Sequence, residues 1–326
     1  MKKALLLLNM GGPNKIEEVE LFLRNMFADK YILPMNPLLR KMVGNIIIKK
    51  RLGEVQENFT EFLGGKSPLT GLTQELIDKL ASKLDMPIFM AMRYVPPFAI
   101  DALEECKKQG IEELILLPMY PQCSTTTTIS SVEEIQDHLQ ALEYAPKLKI
   151  MCNYYDDHRY IKASYEKIIE ALEERDSSEY DLIVSAHGLP VSIARSGDVY
   201  EKQIEANFSA LKLYLELQGV EFKNIKLVYQ SKVGGGRWLE PALDDTIRNP
   251  QNLKVLIYPL AFTTDNSETI FELDIETREI ADKIGYDDFV VAKCFNDSEL
   301  FANFITEFIY EKEHNVCVDC PLIRET

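Results

Sequence analysis

Short apolar runs alternate along the chain with longer stretches in which apolar residues recur every three or four positions. A short apolar run bounded by turn residues predicts a buried strand, and the longer amphipathic pattern predicts a helix. Regular alternation of the two is typical of βαβ units and parallel sheets. The predicted strands are 4–9, 87–92, 113–118, 148–153, 181–186, 225–230, 254–260 and 289–293.

The predicted strands fall into two groups of four whose ends are similar. Strands of the first group run into NMGGP, MRY and LPMYPQ, and those of the second run into AHGLP, YQSK and YPLAF. We therefore predict two doubly wound lobes built on one plan, the first over residues 1–145 and the second over residues 146–297. A last helical pattern over 298–316 is expected to pack back on the first lobe.

Length and composition fit this organisation. A chain of 326 residues suits two domains, and the formal net charge of −16 argues against a nucleic-acid partner. No apolar run is long enough to cross a membrane. The opening MKKALLLLNMGGPN has too short an apolar core for a signal peptide, so we expect a buried first strand and a cytoplasmic protein.

One stretch departs from the acidic balance. Residues 39–51, LRKMVGNIIIKKR, contain no acid. An amphipathic helix with a solvated basic edge explains this pattern. The alternative is an apolar lip with positive flanks, which would suit an apolar ligand that carries carboxylates. The basic residues are Arg40, Lys41, Lys49, Lys50 and Arg51.

A histidine lies where a predicted buried strand ends. The chain has only four histidines, and His187 is in SAHGLP directly after the apolar run 182–184. In open parallel sheets, ligands bind beyond the carboxyl ends of the strands. This position makes His187 a candidate functional residue.

A second candidate feature is the acidic stretch 263–276, TTDNSETIFELDIE, which follows the predicted strand 254–260. On a helix, Glu268, Glu272 and Glu276 share one face, and aligned like charges cost a few tenths of a kcal/mol per pair. A solvated acidic face and a carboxylate track for a cation both explain the spacing. Three polar residues are candidate N-caps for this helix: Asp265, Asn266 and Ser267.

Taken together, these segments resemble ferrochelatase over roughly residues 4–310. The resemblance implies an enzyme that inserts Fe²⁺ into a porphyrin, forming haem and releasing two protons. It implies the chelatase fold, two Rossmann-like lobes that are each a four-stranded parallel sheet flanked by helices, with the macrocycle in the cleft between them. The similar segments, in order, are LLNMGGP, RNMF, GGKSPL, MRYVPP, LPMYPQCSTTTTISS, SAHGLP, GDVYEKQ, YQSKVGGGRWLEP, YPLAFTTDNSET and FELDIE.

By this resemblance His187 and Glu268 are the catalytic residues, and Glu272 joins them in contacting the metal. We hypothesise that a neutral His187 ring accepts pyrrole protons and that Glu268 delivers the metal; the reverse division of roles stays open. Residues 34–51 correspond to the family's lip segment, where Arg40 or Arg51 meets the propionates. The implied porphyrin contacts are Met10, Arg93, Tyr94, Ser124, Trp238 and Phe262.

The chain departs from the family pattern at two places that matter. The family usually has Asp-His-Ile-Glu where this chain has Asp-Asn-Ser-Glu at 265–268, so Asn266 replaces a second histidine and cannot relay a proton. Family members with a [2Fe–2S] cluster use one internal and three tail cysteines, whereas this tail has Cys317 and Cys320. We therefore expect no cluster and no permanently bound cofactor, with Fe²⁺ as a substrate.

Three alternatives stay open from the sequence. A porphyrin or haem carrier or sensor without catalysis is compatible with the missing histidine. Insertion of cobalt or nickel into a related ring stays within chelatase chemistry. Protoporphyrin IX is the expected substrate, with coproporphyrin as the alternative. We expect a monomer, while a dimer and a transient contact with a membrane or a porphyrin-donor enzyme stay open.

Overall fold

The computed structural model describes residues 1–232 and 235–311 of the chain. It contains two four-stranded sheets in which all neighbouring strands are parallel. All the predicted strands are confirmed within one or a few residues at their ends. The strands are β1 (Lys3–Asn9), β2 (Ile88–Met92), β3 (Glu113–Pro118), β4 (Lys147–Ile150), β5 (Asp181–His187), β6 (Asn224–Gln230), β7 (Lys254–Pro259) and β8 (Asp288–Val291).

Helices connect the strands, as the amphipathic stretches predict. Two π-helices, Thr125–Ile129 and Glu268–Glu276, precede α5 and α10, and a short 3₁₀ helix covers Ser177–Glu179. The α-helices are α1 (Glu18–Ala28), α2 (Pro37–Phe62), α3 (Leu69–Ala81), α4 (Ala99–Gln109), α5 (Ser130–Ala141), α6 (His158–Leu172), α7 (Val191–Ala194), α8 (Tyr200–Leu217), α9 (Leu243–Arg248), α10 (Thr277–Ile284) and α11 (Glu299–Glu311).

The two sheets have the same strand order. The first is ordered β2-β1-β3-β4 and the second β6-β5-β7-β8. In each sheet the chain goes to one side of the first strand and then to the other, so the topological switch points lie between β1 and β3 and between β5 and β7. Ligands of doubly wound sheets bind at the carboxyl ends of the strands beside such points.

Burial follows strand position. Leu5 to Leu8 of the inner strand β1 are at most 1% exposed, and the inner strand β5 is buried from Asp181 to Ala186. Strands covered by helices on both faces are apolar at nearly every position. The continuous apolar runs that identify these strands in the sequence are therefore a direct consequence of their place in the sheets.

The chain divides into two compact units. The first is Met1–Cys152 with the last helix from Ile305 onward, and the second is Asn153–Phe304. The predicted crossing between 145 and 146 is wrong by several residues, because β4 lies beyond it and pairs with β3 in the first sheet. The last helix joins the first unit through its second half. Cys317, Cys320 and the predicted helix end at 316 lie outside the described residues.

The basic stretch 39–51 forms part of α2, which begins at the Asn36 cap. Leu38 is 85% exposed and Met42 is 56% exposed, so the helix presents apolar as well as basic residues to its surroundings. The helical interpretation is confirmed, and the lip interpretation stays a prediction. Within the described parts of the chain, no helix is both long and apolar enough to cross a membrane.

Candidate active site

His187 is the last residue of β5, and hydrogen bonds fix both its ring and its main chain. The ring Nδ1 lies 2.7 Å from the carbonyl oxygen of Gly188. Because a carbonyl oxygen only accepts, Nδ1 carries a proton and Nε2 is the nitrogen that is left to face the site. The Tyr200 hydroxyl donates to the main-chain carbonyl of His187 at 3.0 Å.

Gly188 allows the chain to turn closely behind the histidine. Its N–H donates to the carbonyl of Gln230, at the end of β6, with a length of 2.8 Å. A Cβ atom at position 188 would lie 2.7 Å from that same oxygen. The glycine of SAHGLP is therefore required by the close approach of the neighbouring strand.

Glu268 reaches the same point from the adjacent strand. It is the first residue of the second π-helix, which follows β7. His187 Nε2 and Glu268 Oε1 are 3.4 Å apart, and the side chains are 34% and 26% exposed. Since β5 and β7 are neighbours, the pair lies at the switch point of the second sheet. The structure thus brings together the two residues predicted to be catalytic.

The pairing determines the protonation of His187. Burial by itself lowers the pKa of this imidazole, but the carboxylates of Glu268 and Glu272 outweigh it and the pKa of His187 is raised to about 9. The ring is therefore an imidazolium at neutral pH. The sequence-based prediction of a neutral ring left out the adjacent carboxylates, which favour the charged ring before metal arrives, and the role of His187 as proton acceptor stays a prediction.

Glu272 lies one turn further along the π-helix, where the end of β6 holds its carboxylate. The Ser231 N–H donates to Oε1 at 2.5 Å, and the Ser231 hydroxyl donates to Oε2 at 2.5 Å. The side-chain amide of Gln230 donates to Oε2 at 3.4 Å. Burial, with the charge of Glu268, raises the pKa of Glu272 to about 7. Both protonation states of Glu272 are therefore populated near neutral pH.

The acidic residues lie on a π-helix rather than an α-helix. An α-helical turn holds 3.6 residues and a π-turn, bonded from i to i+5, holds more than four, so residues four apart stay near one side of either helix. Glu276 is exposed, whereas Glu268 and Glu272 are partly buried. Carboxylates therefore occur both beside His187 and at the exposed end of this helix, and their role as an acidic track for a cation stays a prediction.

The track is not a closed metal site. In residues 1–232 and 235–311, no three His, Cys, Asp or Glu side chains are grouped closely enough to hold a metal ion. His187 and Glu268 form a pair, and the predicted third ligand, Glu272, is held by Ser231 instead. A pair of ligands leaves coordination positions open, which suits an ion that is passed on rather than retained.

Two aromatic residues flank His187 in the second unit. The ring of Phe262 lies 6.4 Å from the His187 ring, centroid to centroid, at an angle of 61°. Trp238 forms a bridge with Pro190, and its ring lies 3.6 Å from the position that a Cβ of Gly188 would occupy. Both side chains are partly exposed, so apolar surface lies beside His187 and the following Gly188, and contact of these residues with porphyrin stays a prediction.

Arg93 and Tyr94, after β2 in the first unit, belong to an internal hydrogen-bond network. Arg93 donates to Glu134 at 2.7 Å and lies 3.6 Å from Asp29. The Tyr94 hydroxyl donates to Asp29 at 2.8 Å, and the residue is only 2% exposed. Their side chains are thus engaged within the unit, and their contact with porphyrin stays a prediction.

The remaining predicted contacts of the first unit follow β1 and β3. Met10 is partly exposed, and Tyr94 N–H donates to its carbonyl at 3.0 Å. Ser124 is 1% exposed, and its hydroxyl accepts the N–H of Thr126 at 3.2 Å, which caps the first π-helix. The structure assigns Ser124 a helix-capping role, and its contact with substrate stays a prediction.

The two candidate propionate ligands of α2 differ. The guanidinium of Arg40 donates to main-chain carbonyls at the end of α1 and in the loop that follows it, and so fixes that loop. Arg51 is partly exposed and makes no such set of bonds among the described residues. Contact of either arginine with a propionate stays a prediction. The Arg40 bonds go to Ala28, Leu33 and Met35.

Sequence reasoning missed Gln230 and Ser231, which hold Glu272. Their signal is the motif YQSK, in which two polar residues follow an apolar strand next to the switch point. Ser231 has a φ of 63°, in the left-handed region that non-glycine residues rarely adopt. That conformation cannot be inferred from the sequence, and it is what directs the Ser231 N–H at the carboxylate.

Comparisons of the sequence identify related proteins. The family model Ferrochelatase matches residues 2–313. A ferrochelatase of Wolinella succinogenes is 48% identical over 316 residues, covering 96% of this chain and 99% of that protein. One of Sulfurimonas denitrificans is 44% identical, covering 95% and 99% of the two chains. One of Helicobacter pylori strain P12 is 43% identical, covering 94% and 92%.

Comparison with solved structures gives the same fold at low sequence identity. SirB from Bacillus subtilis with Fe³⁺ superposes with a TM-score of 0.57 at 11% identity and covers 100% of both chains. CbiX, described as the terminal enzyme of sirohaem biosynthesis in denitrifying bacteria, superposes with a TM-score of 0.51 at 13% identity and covers 95% and 99%. The two-sheet α/β architecture is therefore that of the chelatases.

Proposed function

The chain belongs to the ferrochelatase family, and from that premise we propose how its residues carry out the insertion of Fe²⁺ into a porphyrin. The enzyme is a metal chelatase that forms haem. Two pyrrole N–H protons leave the porphyrin and one Fe²⁺ takes their place, so each turnover releases two protons. The observation that carries the proposal is the 3.4 Å pair of His187 and Glu268 at the switch point of the second sheet.

Iron approaches along the acidic track. Carboxylate oxygens bind Fe²⁺ without the tight hold of a thiolate site, so the ion can be passed from one to the next. Glu276 is exposed and Glu268 lies beside His187, which gives the track an outer and an inner end. We assign Glu268 the last carboxylate contact before the ring nitrogens.

Arrival of the cation prepares His187 to act as a base. At rest, the Glu268 carboxylate stabilises the imidazolium, with a pKa of about 9. A divalent cation on Glu268 replaces that attraction by repulsion, lowers the pKa of His187 and releases its proton to solvent. When the ion moves from Glu268 to the pyrrole nitrogens, the carboxylate again favours the imidazolium, and the neutral ring accepts one of the two displaced pyrrole protons at Nε2. Metal delivery and proton removal are thus coupled in one pair of side chains.

The second proton needs a second acceptor. Glu272, whose pKa is raised to about 7, exchanges protons readily at neutral pH and lies on the same helix. The track therefore serves for iron entry and for proton exit. Neither function needs a titratable group at position 266.

The aromatic residues hold the ring in a reactive shape. A flat porphyrin directs its nitrogen lone pairs inward, away from an incoming ion. Apolar contact with Trp238 and Phe262 supplies binding energy that bends the ring and exposes the lone pairs, a strain on the order of 1–5 kcal/mol. Phe262 lies beside His187 and Trp238 beside Gly188, so a ring held against them would meet the base and the metal together.

The predicted substrate, location and remaining porphyrin contacts are also proposals. Family membership supports iron insertion, and no observation favours a carrier without catalysis. We propose protoporphyrin IX as substrate and the cytoplasm as the site of action, as the sequence predicts. The porphyrin contacts of Met10, Arg93, Tyr94 and Ser124 are part of the same proposal, resting on the resemblance.

His187→Ala tests the proposal directly. General-base removal typically costs on the order of 10²–10⁴-fold in rate. We expect steady-state haem formation to fall by about that factor while porphyrin binding, followed by absorbance, is retained. His158→Ala is the matched control, because that ring is 85% exposed and its removal leaves turnover unchanged. Near-normal turnover of His187→Ala would contradict the assignment.

A further inference from the structure

Asn266 stands where the resemblance implies a histidine, and its side chain makes specific hydrogen bonds. Its side-chain oxygen accepts the main-chain N–H of Glu268 at 2.7 Å. Its side-chain nitrogen donates to the carbonyl of Thr264 at 3.2 Å. The residue is 8% exposed, so the amide is buried in the turn that starts the second π-helix.

Neighbouring side chains hold Asn266 in place. Its N–H donates to the hydroxyl oxygen of Thr269 at 3.0 Å, and that hydroxyl donates to Asp265 Oδ1 at 3.0 Å. Asp265 Oδ2 accepts from the side chain of Asn296 at 2.7 Å. Asp265, Asn266 and Thr269 therefore form a buried clamp, which joins the start of the π-helix to the loop after β8.

The clamp fixes the main chain of Glu268, the carboxylate that pairs with His187. The first N–H groups of a helix have no partner within the helix, and the Glu268 N–H is one of them. Asn266 satisfies that donor and fixes the backbone from which the Glu268 side chain extends. The 3.4 Å approach to His187 depends on this backbone position, and catalytic groups tolerate only small displacements.

We propose that Asn266 is a positioning residue for iron insertion, which sets where the Glu268 carboxylate meets the metal and moves no proton itself. This inference rests on the proposed role of Glu268. A side-chain amide cannot exchange a proton at neutral pH, so the position keeps a role in the reaction without a titratable group. Asn266 then supports the backbone of Glu268, and the proton transfers are carried out by His187 and Glu272.

Asn266→Ala and Asn266→Ser test the inference as a pair. Removing the side-chain oxygen leaves the Glu268 N–H without its partner and loosens the backbone from which the carboxylate extends. We expect Asn266→Ala to raise the apparent KM for Fe²⁺ about fivefold, with the KM for porphyrin unchanged. Asn266→Ser restores an acceptor oxygen and recovers most of the loss. The visible absorption of Co²⁺, added as a probe without porphyrin, should differ from wild type in the alanine variant only.

Asp176→Ala is the control for a simple loss of stability. Asp176 Oδ1 accepts the N–H of Ser178 at 3.0 Å and caps the short 3₁₀ helix before β5, at the opposite end of the strand from His187. Its removal lowers the melting temperature without changing either KM. If Asn266→Ala proves unfolded, Thr269→Val removes the hydroxyl that supports Asn266 and is expected to give the same iron-specific rise.

Three results would overturn the inference: an unchanged KM for iron, equal rises in both KM values, or serine no better than alanine. The proposed function is tested separately. If His187→Ala abolishes turnover while the Asn266 variants behave as wild type, the function stands and the positioning role is wrong. If His187→Ala is active, the assignment of the reacting pair itself fails.

Discussion

The two π-helices occupy the same place in the two sheets and differ in what they carry. The first, Thr125–Ile129, follows β3, and the second, Glu268–Glu276, follows β7; each strand is third in its group. A side-chain oxygen two residues ahead caps each helix at its beginning, Ser124 for the Thr126 N–H and Asn266 for the Glu268 N–H. The first presents hydroxyls and the second presents carboxylates.

The two π-helices differ in the burial and charge of their side chains. Thr126 and Thr128 are buried and uncharged, whereas Glu268 lies partly exposed beside an imidazole at the switch point. A π-helix is rare and is frequently found at functional sites. Here one fold element occurs twice, and only the second copy has groups that bind a cation or take a proton. Both sheets therefore have a π-helix after their third strand, and the difference between the two helices lies in their side chains.

Glu268→Gln removes the charge that distinguishes the second copy and should have the largest effect. Glutamine keeps the shape of the side chain but binds Fe²⁺ weakly and no longer favours the imidazolium. We expect haem formation to fall by about 100-fold, within the range for loss of a catalytic acid or base. Steady-state assays with Fe²⁺ and porphyrin measure it.

Thr127→Val is the matched control in the first copy. The Thr127 hydroxyl is buried without a hydrogen-bond partner, so valine replaces it at little cost in stability. Turnover should equal that of the wild type. A comparable loss in both variants would show that the two helices do not differ in function as described.

Glu272→Gln tests the middle of the acidic track. Ser231 still donates to the glutamine oxygen, so the fold is preserved, while the charge that passes iron onward is lost. We expect the apparent KM for Fe²⁺ to rise about tenfold, which corresponds to roughly 1.4 kcal/mol, with the KM for porphyrin unchanged. Equal changes in both constants would count against a role in iron transfer.

Glu276→Gln should have the smallest effect of the three. Its side chain is exposed, and the interaction of an exposed charge with an ion is screened by water and salt. The KM for iron is expected to rise less than about twofold, and the rise should disappear at high ionic strength. A rise in the KM for iron as large as that of Glu272→Gln would contradict the assignment of Glu276 to the outer end of the track.

Much of this organisation is readable from the sequence, for identifiable reasons. The inner strands are continuous apolar runs because helices cover both faces, and His187 is recognisable because it ends such a run. The type of helix at Glu268 was not predictable, since a four-residue spacing fits an α-helix and a π-helix alike. The raised pKa of His187 could not be predicted from the sequence, because it depends on a 3.4 Å distance that no local pattern encodes.

The raised pKa of His187 also links the pair to stability. A group whose pKa is higher in the folded than in the unfolded state stabilises the fold fully below its unfolded pKa, near 6.5 for histidine. That contribution is lost as the pH rises through about 9. Glu268→Gln should remove this alkaline loss of stability, because the folded and unfolded pKa values then approach each other.

The most direct measurement is the pH titration of the His187 ring by NMR, with His187→Ala to assign its signal. We expect a pKa of about 9 in the wild-type protein and a fall toward the ordinary value of 6.5 in Glu268→Gln. A ring that titrates near 6.5 in both proteins would contradict the claim that the imidazole and the carboxylate act as one unit.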